Sequence, residues 1–248
     1  MKKPDSSEGV RIQKVMSQAG FASRRRAEQL ILDGSVFLNG EPVVELGQRM
    51  IPGVDKLEVL GEPVKVSAQR EQVVYALYKP KNCITTLRDP QRRQTIVDYF
   101  PTSRYRLFPI GRLDYQSEGL LLITNDGEIS QRILHPEQPL WKGYFVKVKG
   151  VLSQEQLQAL LTGLQSGKKK AGVLKVKMLH TINDKTWLEV SLPKEITEKI
   201  KWRFADLGYP IQKIKRYRIG SVTLEELRPG QSRQLTHAEL KQLLEQAS

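Results

Sequence analysis

A polar stretch divides this chain of 248 residues into a short and a long part. Residues 61–72 carry charged, polar, proline and glycine residues with little hydrophobic periodicity, which is typical of a segment that joins domains. We therefore predict a flexible N-terminus at residues 1–10, a small domain at 11–60, a linker at 61–72 and a larger domain at 73–248. A chain of this length can bury a sizeable core.

The small domain has signals for two helices followed by strands. Apolar residues recur at helical spacing from Ile12 onward. Ser23 is a good N-cap for a second helix, from Arg24 to Asp33. The segment from Ser35 to Leu38 favours a strand, and Asn39-Gly40 is typical of a two-residue hairpin turn.

The positive charge indicates a polyanionic partner. The formal net charge is +13 and the sequence pI is about 9.8, and nucleic acid is the commonest partner of so basic a protein. Arg24, Arg25 and Arg26 begin the second predicted helix, where cations oppose the helix dipole and phosphate would compensate them. The single cysteine, Cys83, favours a reducing compartment. No apolar run suggests a signal peptide or a membrane span, so we expect a cytoplasmic protein without membrane contacts.

The larger domain mixes strands and helices without a strand–helix–strand repeat. Strands are predicted at 73–78, 119–124, 144–148, 173–179, 187–192 and 211–219, and helices from Ser153 and near Glu195 to Asp206. We therefore predict the α+β fold class, with a small N-terminal α/β domain followed by a larger domain that has a mostly antiparallel sheet.

The motifs that this sequence does not contain exclude several classes of functional site. The sequence has no glycine-rich phosphate loop, no dinucleotide fingerprint, no metal-ligand spacing and no nucleophilic serine motif, so we expect no cofactor and no metal. The segment Gly111-Arg112-Leu113-Asp114 lies between two apolar runs. A carboxylate there must be hydrated, paired or functional. From spacing alone, a salt-bridged loop aspartate is the favoured interpretation.

The small domain resembles the αL RNA-binding domain, which is named from a small-subunit ribosomal protein. The resemblance is carried by Arg11-Ile12-Gln13-Lys14-Val15, Ala19-Gly20-Phe21-Ala22-Ser23-Arg24-Arg25, Gly34-Ser35-Val36 and Asn39-Gly40. It implies that the helix pair and its basic face bind structured RNA. The residues expected to do so are Lys14, Arg24, Arg25 and Arg26.

The larger domain resembles the RsuA-type pseudouridine synthases, which modify ribosomal RNA. The motifs are Leu77-Tyr78-Lys79-Pro80, the run from Gly111 to Gly127, Lys142-Gly143-Tyr144 and Leu207-Gly208-Tyr209-Pro210 with the basic strand after it. Ser117 stands where threonine is frequent, and residues 194–198 depart from the family pattern, so the resemblance implies no RNA contacts for that segment.

The resemblance implies a role for each motif residue. Asp114 would be the catalytic nucleophile and attack the target uridine at the ribose or at the base. Tyr144 would stack on the flipped uracil, Lys201 would pair with Asp114, and Ile200 would form part of an apolar wall. The RNA contacts expected in this domain come from Arg112, Lys79, Lys213, Lys215 and Arg216.

Three functions remain open from the sequence. The favoured one is conversion of a specific uridine to pseudouridine in large-subunit rRNA, by a monomer that meets ribosomal RNA or a pre-ribosomal particle. The same activity on small-subunit rRNA or transfer RNA is the second. The third is a non-catalytic RNA-binding factor in ribosome assembly, although such a factor would have no need of Asp114, Tyr144 and Lys201 together.

Overall fold

The chain divides into two compact units, Met1–Gln72 and Val73–Ser248. The computed structural model describes residues 9–65, 71–165, 175–193 and 198–248. The expected flexible segment at residues 1–8, part of the linker and most of the atypical segment at 194–198 lie outside the described residues.

The small unit packs two helices against short strands. Its elements are β1 (Val10–Arg11), α1 (Ile12–Gln18), α2 (Arg24–Leu32), β2 (Val36–Leu38), β3 (Glu41–Pro42), β4 (Arg49–Met50), β5 (Leu57–Val59) and β6 (Glu62–Pro63). One sheet has the order β3-β2-β5-β6, and β1 pairs with β4. Ser23 caps α2 by accepting a hydrogen bond from the backbone N–H of Arg26 at 3.1 Å, as predicted.

Two predicted boundaries of this unit were wrong by a few residues. Val10, expected in the flexible N-terminus, pairs with Met50 in the β1–β4 ladder. Glu62 and Pro63, expected in the linker, pair with β5, and Val64 packs against the small core. The backbone hydrogen bonds of these residues are satisfied by strands that are distant in sequence, and hydropathy alone does not reveal such pairing.

The larger unit is built on one long mixed sheet. Its elements are β7 (Val74–Lys79), a 3-10 turn (Ile96–Tyr99), β8 (Phe108–Ile110), β9 (Glu118–Thr124), α3 (Gly127–Leu134), β10 (Lys142–Lys149), α4 (Gln154–Gln165), β11 (Lys175–Ile182), β12 (Lys185–Leu192), α5 (Glu198–Asp206), β13 (Ile211–Ile219), β14 (Val222–Thr223), β15 (Ser232–Gln234) and α6 (His237–Gln246). The strand order is β11-β12-β10-β13-β9-β7-β15. All pairs along it are antiparallel except β9–β13, so the predicted α+β class with a mostly antiparallel sheet is confirmed.

The two faces of this sheet are covered by different helices. On the first face, α4 and α5 pack over β10, β12 and β13, while loop residues pack over β7 and β9. On the second face, α3 and α6 cover β7, β9 and the end of β13. The side chains alternate between these faces along each strand, so that Leu77 and Leu121 face one cluster while Ala76 and Leu122 face the other.

Helices α3 and α6 were not predicted, although their caps are readable. Asp126 accepts hydrogen bonds from the backbone N–H groups of Glu128 and Ile129 at the start of α3. Thr236 and Glu239 form a capping box at the start of α6. Length does not explain the omission, because the predicted helices α1 and α2 are no longer than α6.

Candidate active site

Asp114 and Lys201 meet although 87 residues separate them. The Lys201 Nζ donates to the Asp114 Oδ2 at 2.6 Å. Asp114 lies in the loop between β8 and β9, and its side chain is 57% exposed, whereas Lys201 on α5 is 25% exposed. The neighbouring Ile200 is buried under the same helix. The predicted carboxylate is therefore open to an incoming ligand while a cation orients it from one side.

The loop that carries Asp114 is fixed to the segment that follows β7. The Thr85 hydroxyl donates to the Leu113 carbonyl at 2.6 Å, and the Leu113 N–H donates back to the same hydroxyl oxygen at 3.2 Å. The Leu113 side chain is buried with Leu77 and Leu121 on the first face of the sheet. Both bonds join the Thr85 hydroxyl to the backbone of Leu113, so they fix the chain directly before Asp114.

Lys79 lies beneath this loop and is fully buried. Its Nζ donates to the carbonyl oxygens of Pro80 at 2.9 Å, Asp114 at 3.0 Å and Ser117 at 2.8 Å. Burial lowers the pKa of the Lys79 ammonium to about 8, although the nearby Cys83 and Asp114 oppose that shift. The prediction that Lys79 contacts RNA is therefore corrected, because this side chain holds the loop from inside.

A row of four residues crosses the middle of the sheet below the site. Tyr144 pairs with Arg216, Arg216 with Gly119, and Gly119 with Lys79. Gly119 has a φ of +118°, and a Cβ at this position would lie 2.1 Å from the Arg216 carbonyl oxygen. Only glycine therefore allows β13 to approach β9 here.

Arg216 is also buried, so the prediction that it contacts RNA is corrected. Its side chain has no exposed area, and its Nε donates to the Leu120 carbonyl at 2.7 Å. A buried guanidinium needs acceptors, and the parallel β9–β13 pair supplies one of them. Alternation along the basic strand cannot by itself tell which of its cations points into the core.

Tyr144 lies on the first face, 1% exposed, in the cluster that contains Ile200 and Phe204. The sequence expectation that it stacks on a base is not tested by this arrangement. The same cluster joins β10 to α5, so Tyr144 and Lys201 belong to elements that pack together.

The remaining predicted RNA contacts fall in different places. Arg112 is exposed two residues before Asp114. Lys213 pairs with Glu118 at 2.6 Å, and the Lys215 Nζ lies 5.0 Å from the Tyr78 ring centroid. Lys213 and Lys215 therefore point to the second face of the sheet, away from Asp114.

The small unit contains a basic cleft of about 440 Å³. It is lined by Gly9, Val10, Arg11, Gln13, Lys14, Arg24, Glu28 and Arg49. Lys14 and Arg24 thus lie together, as expected of a shared binding face. Arg25 and Arg26 are exposed beside it, and Arg26 lies 3.8 Å from Asp33.

The described residues offer neither a cluster of metal ligands nor a membrane-spanning helix. No group of three or more histidine, cysteine, aspartate or glutamate side chains is placed to hold a metal ion within the described residues. No helix in the described part of the chain is long and apolar enough to cross a membrane.

The sequence did not reveal the support of the site. Thr85 and Lys79 act on a loop that lies 28 to 38 residues further along the chain. Lys79 did offer one signal, since a lysine at the end of an apolar strand and directly before Pro80 has a long apolar stem to bury. Thr85 offered none.

Two family profiles match this chain. The profile described as RNA pseudouridylate synthase matches residues 73–237, and the profile described as S4 domain matches residues 10–49. They bear out the resemblances that the sequence motifs indicated in each domain.

Individual relatives cover most of the chain. Ribosomal large subunit pseudouridine synthase B of Bacillus subtilis (strain 168) is 37% identical over 94% of this chain and 95% of its own length. An uncharacterized RNA pseudouridine synthase of Aquifex aeolicus (strain VF5) is 40% identical over 94% and 93%. The dual-specificity RNA pseudouridine synthase RluF of Escherichia coli (strain K12) is 33% identical over 96% and 78%. A crystal structure of pseudouridylate synthase matches with a TM-score of 0.62 at 26% identity, over 95% of this chain and 100% of that chain.

Proposed function

This chain belongs to the RNA pseudouridylate synthase family, and from that premise we propose that it isomerises one uridine of large-subunit ribosomal RNA, with Asp114 as the nucleophile. The observation that carries the proposal is the Asp114–Lys201 pair at 2.6 Å, on a loop that is fixed from below. Such a loop holds a reactive oxygen in one position, which is the main requirement for covalent catalysis without a cofactor.

The choice of substrate rests on the relatives and on charge. The Bacillus subtilis relative is named for the large ribosomal subunit and matches this chain nearly end to end. The net charge of +13 favours a polyanion, and the small unit presents the basic cleft around Arg11, Lys14, Arg24 and Arg49. A cleft of this kind suits the phosphate backbone of structured RNA.

The proposed reaction needs no net gain or loss of atoms. An Asp114 carboxylate oxygen forms a bond to the uridine, at C1′ of the ribose or at C6 of the base. The glycosidic bond from N1 to C1′ breaks, and the uracil turns within the site. A new bond joins C5 to C1′, the bond to Asp114 is released, C5 loses its proton and N1 gains one. The base must first leave its stack, which costs a few kcal/mol in a duplex and less in a loop.

Lys201 would act through Asp114. Its ammonium fixes the side-chain torsion of Asp114, because the short charge-assisted bond has a strong directional preference. The second carboxylate oxygen, Oδ1, then remains for attack on the substrate. Asp114 is more exposed than Lys201, so the cation lies behind the carboxylate as seen from solvent.

Tyr144 and Arg112 are proposed to act on the flipped nucleotide. Tyr144 would stack on the uracil and assist removal of the C5 proton, and this requires the side chains that cover it to move when RNA binds. Arg112 is exposed two residues before Asp114, where a guanidinium can hold a phosphate or fill the space that the base leaves.

The test is pseudouridine mapping of both ribosomal RNAs from cells that lack the gene. The cells are rescued with the wild type, with Asp114→Asn or with Asp89→Asn. Asp89 is the matched control, because it is also a loop carboxylate that pairs with a cation, Arg93, at 2.8 Å. We expect one uridine of large-subunit rRNA to lose its modification and to regain it with the wild type and the control only.

Other outcomes would reject part or all of the proposal. A modified site in small-subunit rRNA would change the substrate and leave the chemistry in place. Rescue by Asp114→Asn would remove Asp114 as the nucleophile. If no site changed in either RNA or in transfer RNA while Asp114→Asn still bound RNA, the protein would be a non-catalytic binding factor.

A further inference from the structure

Seven lysines point from the second face of the sheet, on strands β10, β11, β12 and β13. This lysine face consists of Lys147, Lys149, Lys175, Lys177, Lys185, Lys213 and Lys215. They alternate with the buried residues that face α4 and α5 from the same strands. The sheet therefore separates the lysine face from the loop of Asp114.

The helices of the second face do not bury this half of the sheet. The core beneath α3 and α6 contains no residue of β10, β11 or β12 among the described residues, whereas α4 and α5 pack on the first face. Phe145, Lys147, Trp187 and Glu189 are half-buried, and the lysines of β11 are exposed. The face is thus a broad surface of charges and rings rather than a core.

Aromatic rings hold three of the lysines in place. The Nζ of Lys147 lies 5.4 Å from the Trp187 ring centroid, and that of Lys175 lies 4.8 Å from the Trp141 ring centroid. Lys215 lies over Tyr78 in the same way. A ring attracts an ammonium without neutralising it. The three ammonium charges therefore stay available to an anion.

The arrangement costs the fold free energy, because like charges lie directly opposite each other. Lys149 pairs with Lys185 across β10–β12, and Lys147 pairs with Lys213 across β10–β13. Like charges at opposed positions of a sheet are destabilising. Within the described residues, Lys213 is the one member of the lysine face in an ion pair, with Glu118.

The second carboxylate of this region does not relieve the repulsion. Glu189 accepts a hydrogen bond from the Tyr217 hydroxyl. The Tyr217 ring lies over Gly143 and stacks on Phe145 with a centroid separation of 4.4 Å, so this ring pair occupies the centre of the face. The lysines around it remain in excess over the carboxylates.

We propose that the lysine face binds the phosphate backbone of a second segment of the RNA substrate, apart from the segment that enters the site at Asp114. Adjacent strands are about 4.8 Å apart and alternate residues on a strand about 6.7 Å apart, so the lysines leave the sheet at intervals that suit a row of phosphates. Base stacking is disfavoured, because lysines already cover the ring faces of Trp187 and Trp141.

RNA is favoured over an acidic protein as the occupant of the face. The lysine face offers cations over four strands, whereas protein interfaces are depleted of lysine. Among the described residues strand β11 ends the sheet, and at such an edge an RNA chain can pass from one face to the other. The choice of RNA rests on the proposed function, but the binding surface itself does not.

The test compares two double variants of the full chain. Lys147→Gln with Lys175→Gln removes the two lysines held over tryptophans, and Lys241→Gln with Arg228→Gln removes two exposed cations elsewhere in the same unit. Binding of large-subunit rRNA transcribed in vitro is measured between about 50 and 200 mM salt. We expect Lys147→Gln with Lys175→Gln to weaken binding about tenfold and to make the negative slope of log K against log salt less steep by about two. The control pair, Lys241→Gln with Arg228→Gln, should leave the affinity and the slope unchanged.

A rate measurement distinguishes the failure of this proposal from the failure of the proposed reaction. At saturating RNA, the single-turnover rate of the Lys147→Gln/Lys175→Gln variant should equal that of the wild type. If the wild type formed no pseudouridine but the salt slopes still differed, the reaction would be wrong and the RNA surface would stand. Equal slopes in both variants would overturn the surface, and so would unchanged RNA binding with weaker association to ribosomal particles, which would assign the face to a protein.

Discussion

At Asp114 one exposed carboxylate depends on groups that come from three other segments. Lys201 orients its side chain, Lys79 holds its backbone carbonyl, and Thr85 holds the backbone of the preceding residue, Leu113. Each contact is a directional hydrogen bond, so small displacements of the loop would misplace the carboxylate oxygen that we propose as the nucleophile. The residues with the largest expected effect on rate are therefore those that touch Asp114 itself.

Replacing Lys201 should slow the reaction without weakening RNA binding. In Lys201→Met the carboxylate loses its partner and its fixed orientation, and we expect the single-turnover rate to fall about a hundredfold. Lys201→Arg keeps the charge and should recover part of the rate. The readout is the rate of pseudouridine formation at saturating RNA; equal rates for Met and Arg would show that charge at this position is irrelevant.

Lys79 should make stability rise with pH in an alkaline window. Its folded-state pKa of about 8 lies below the unfolded value of about 10.4, so between these pH values the unfolded chain holds a proton that the folded protein has released. The free energy of unfolding of the wild type should therefore increase relative to that of Lys79→Met, by up to about 1.4 kcal/mol per pH unit. Urea unfolding of both proteins at several pH values measures the difference, and parallel curves would contradict it.

Among the elements, the parallel contact of β9 and β13 positions the site. Gly119 lets the Arg216 backbone approach, and this contact aligns β10, β13, β9 and β7 in one row beneath Asp114. The parallel pair β9–β13 joins two antiparallel parts of the sheet. The site therefore lies at the boundary between two parts of the first face. Helices α4 and α5 cover one part, and loop residues cover the other.

Gly119→Ala should destabilise the larger unit strongly. The added Cβ would meet the Arg216 backbone and the residue would keep a positive φ, so we expect a loss of about 3 kcal/mol or more. Gly208→Ala is the control, because Gly208 has a φ of +85° but open space around it, and it should cost about 1 kcal/mol. Denaturant unfolding compares them, and equal losses would mean that the backbone approach is unimportant.

For the whole molecule, the two units imply separate tasks in RNA binding. Met1–Gln72 and Val73–Ser248 each have their own buried core. The basic cleft lies in the first unit, whereas Asp114 and the lysine face lie in the second.

Removing the first unit should weaken RNA binding and leave the second folded. We expect a chain of residues 73–248 to unfold cooperatively and to bind rRNA at least about tenfold more weakly than the full chain, because several phosphate contacts are lost. Calorimetry measures whether residues 73–248 unfold cooperatively, and filter binding measures the affinity for rRNA. Replacing Arg24, Arg25 and Arg26 with glutamine in the full chain is the control for charge alone, and loss of cooperative unfolding would contradict the independence of the units.

The sequence by itself determined the family and most of the local structure. Helical spacing and caps located α1 and α2, alternation located the long strands, and the motif around Asp114 identified the family. These features are local, because a side chain's periodicity and its neighbours in sequence decide which segments become helix or strand.

Only the tertiary structure decided what the basic residues do. Lys79 and Arg216 looked like surface cations, yet both are buried because distant segments bring carbonyl acceptors to them. Lys147 and Lys213 lie far apart in sequence and become neighbours only when β10 pairs with β13. Burial and charge depend on partners from elsewhere in the chain, and the pattern of one segment does not contain that information.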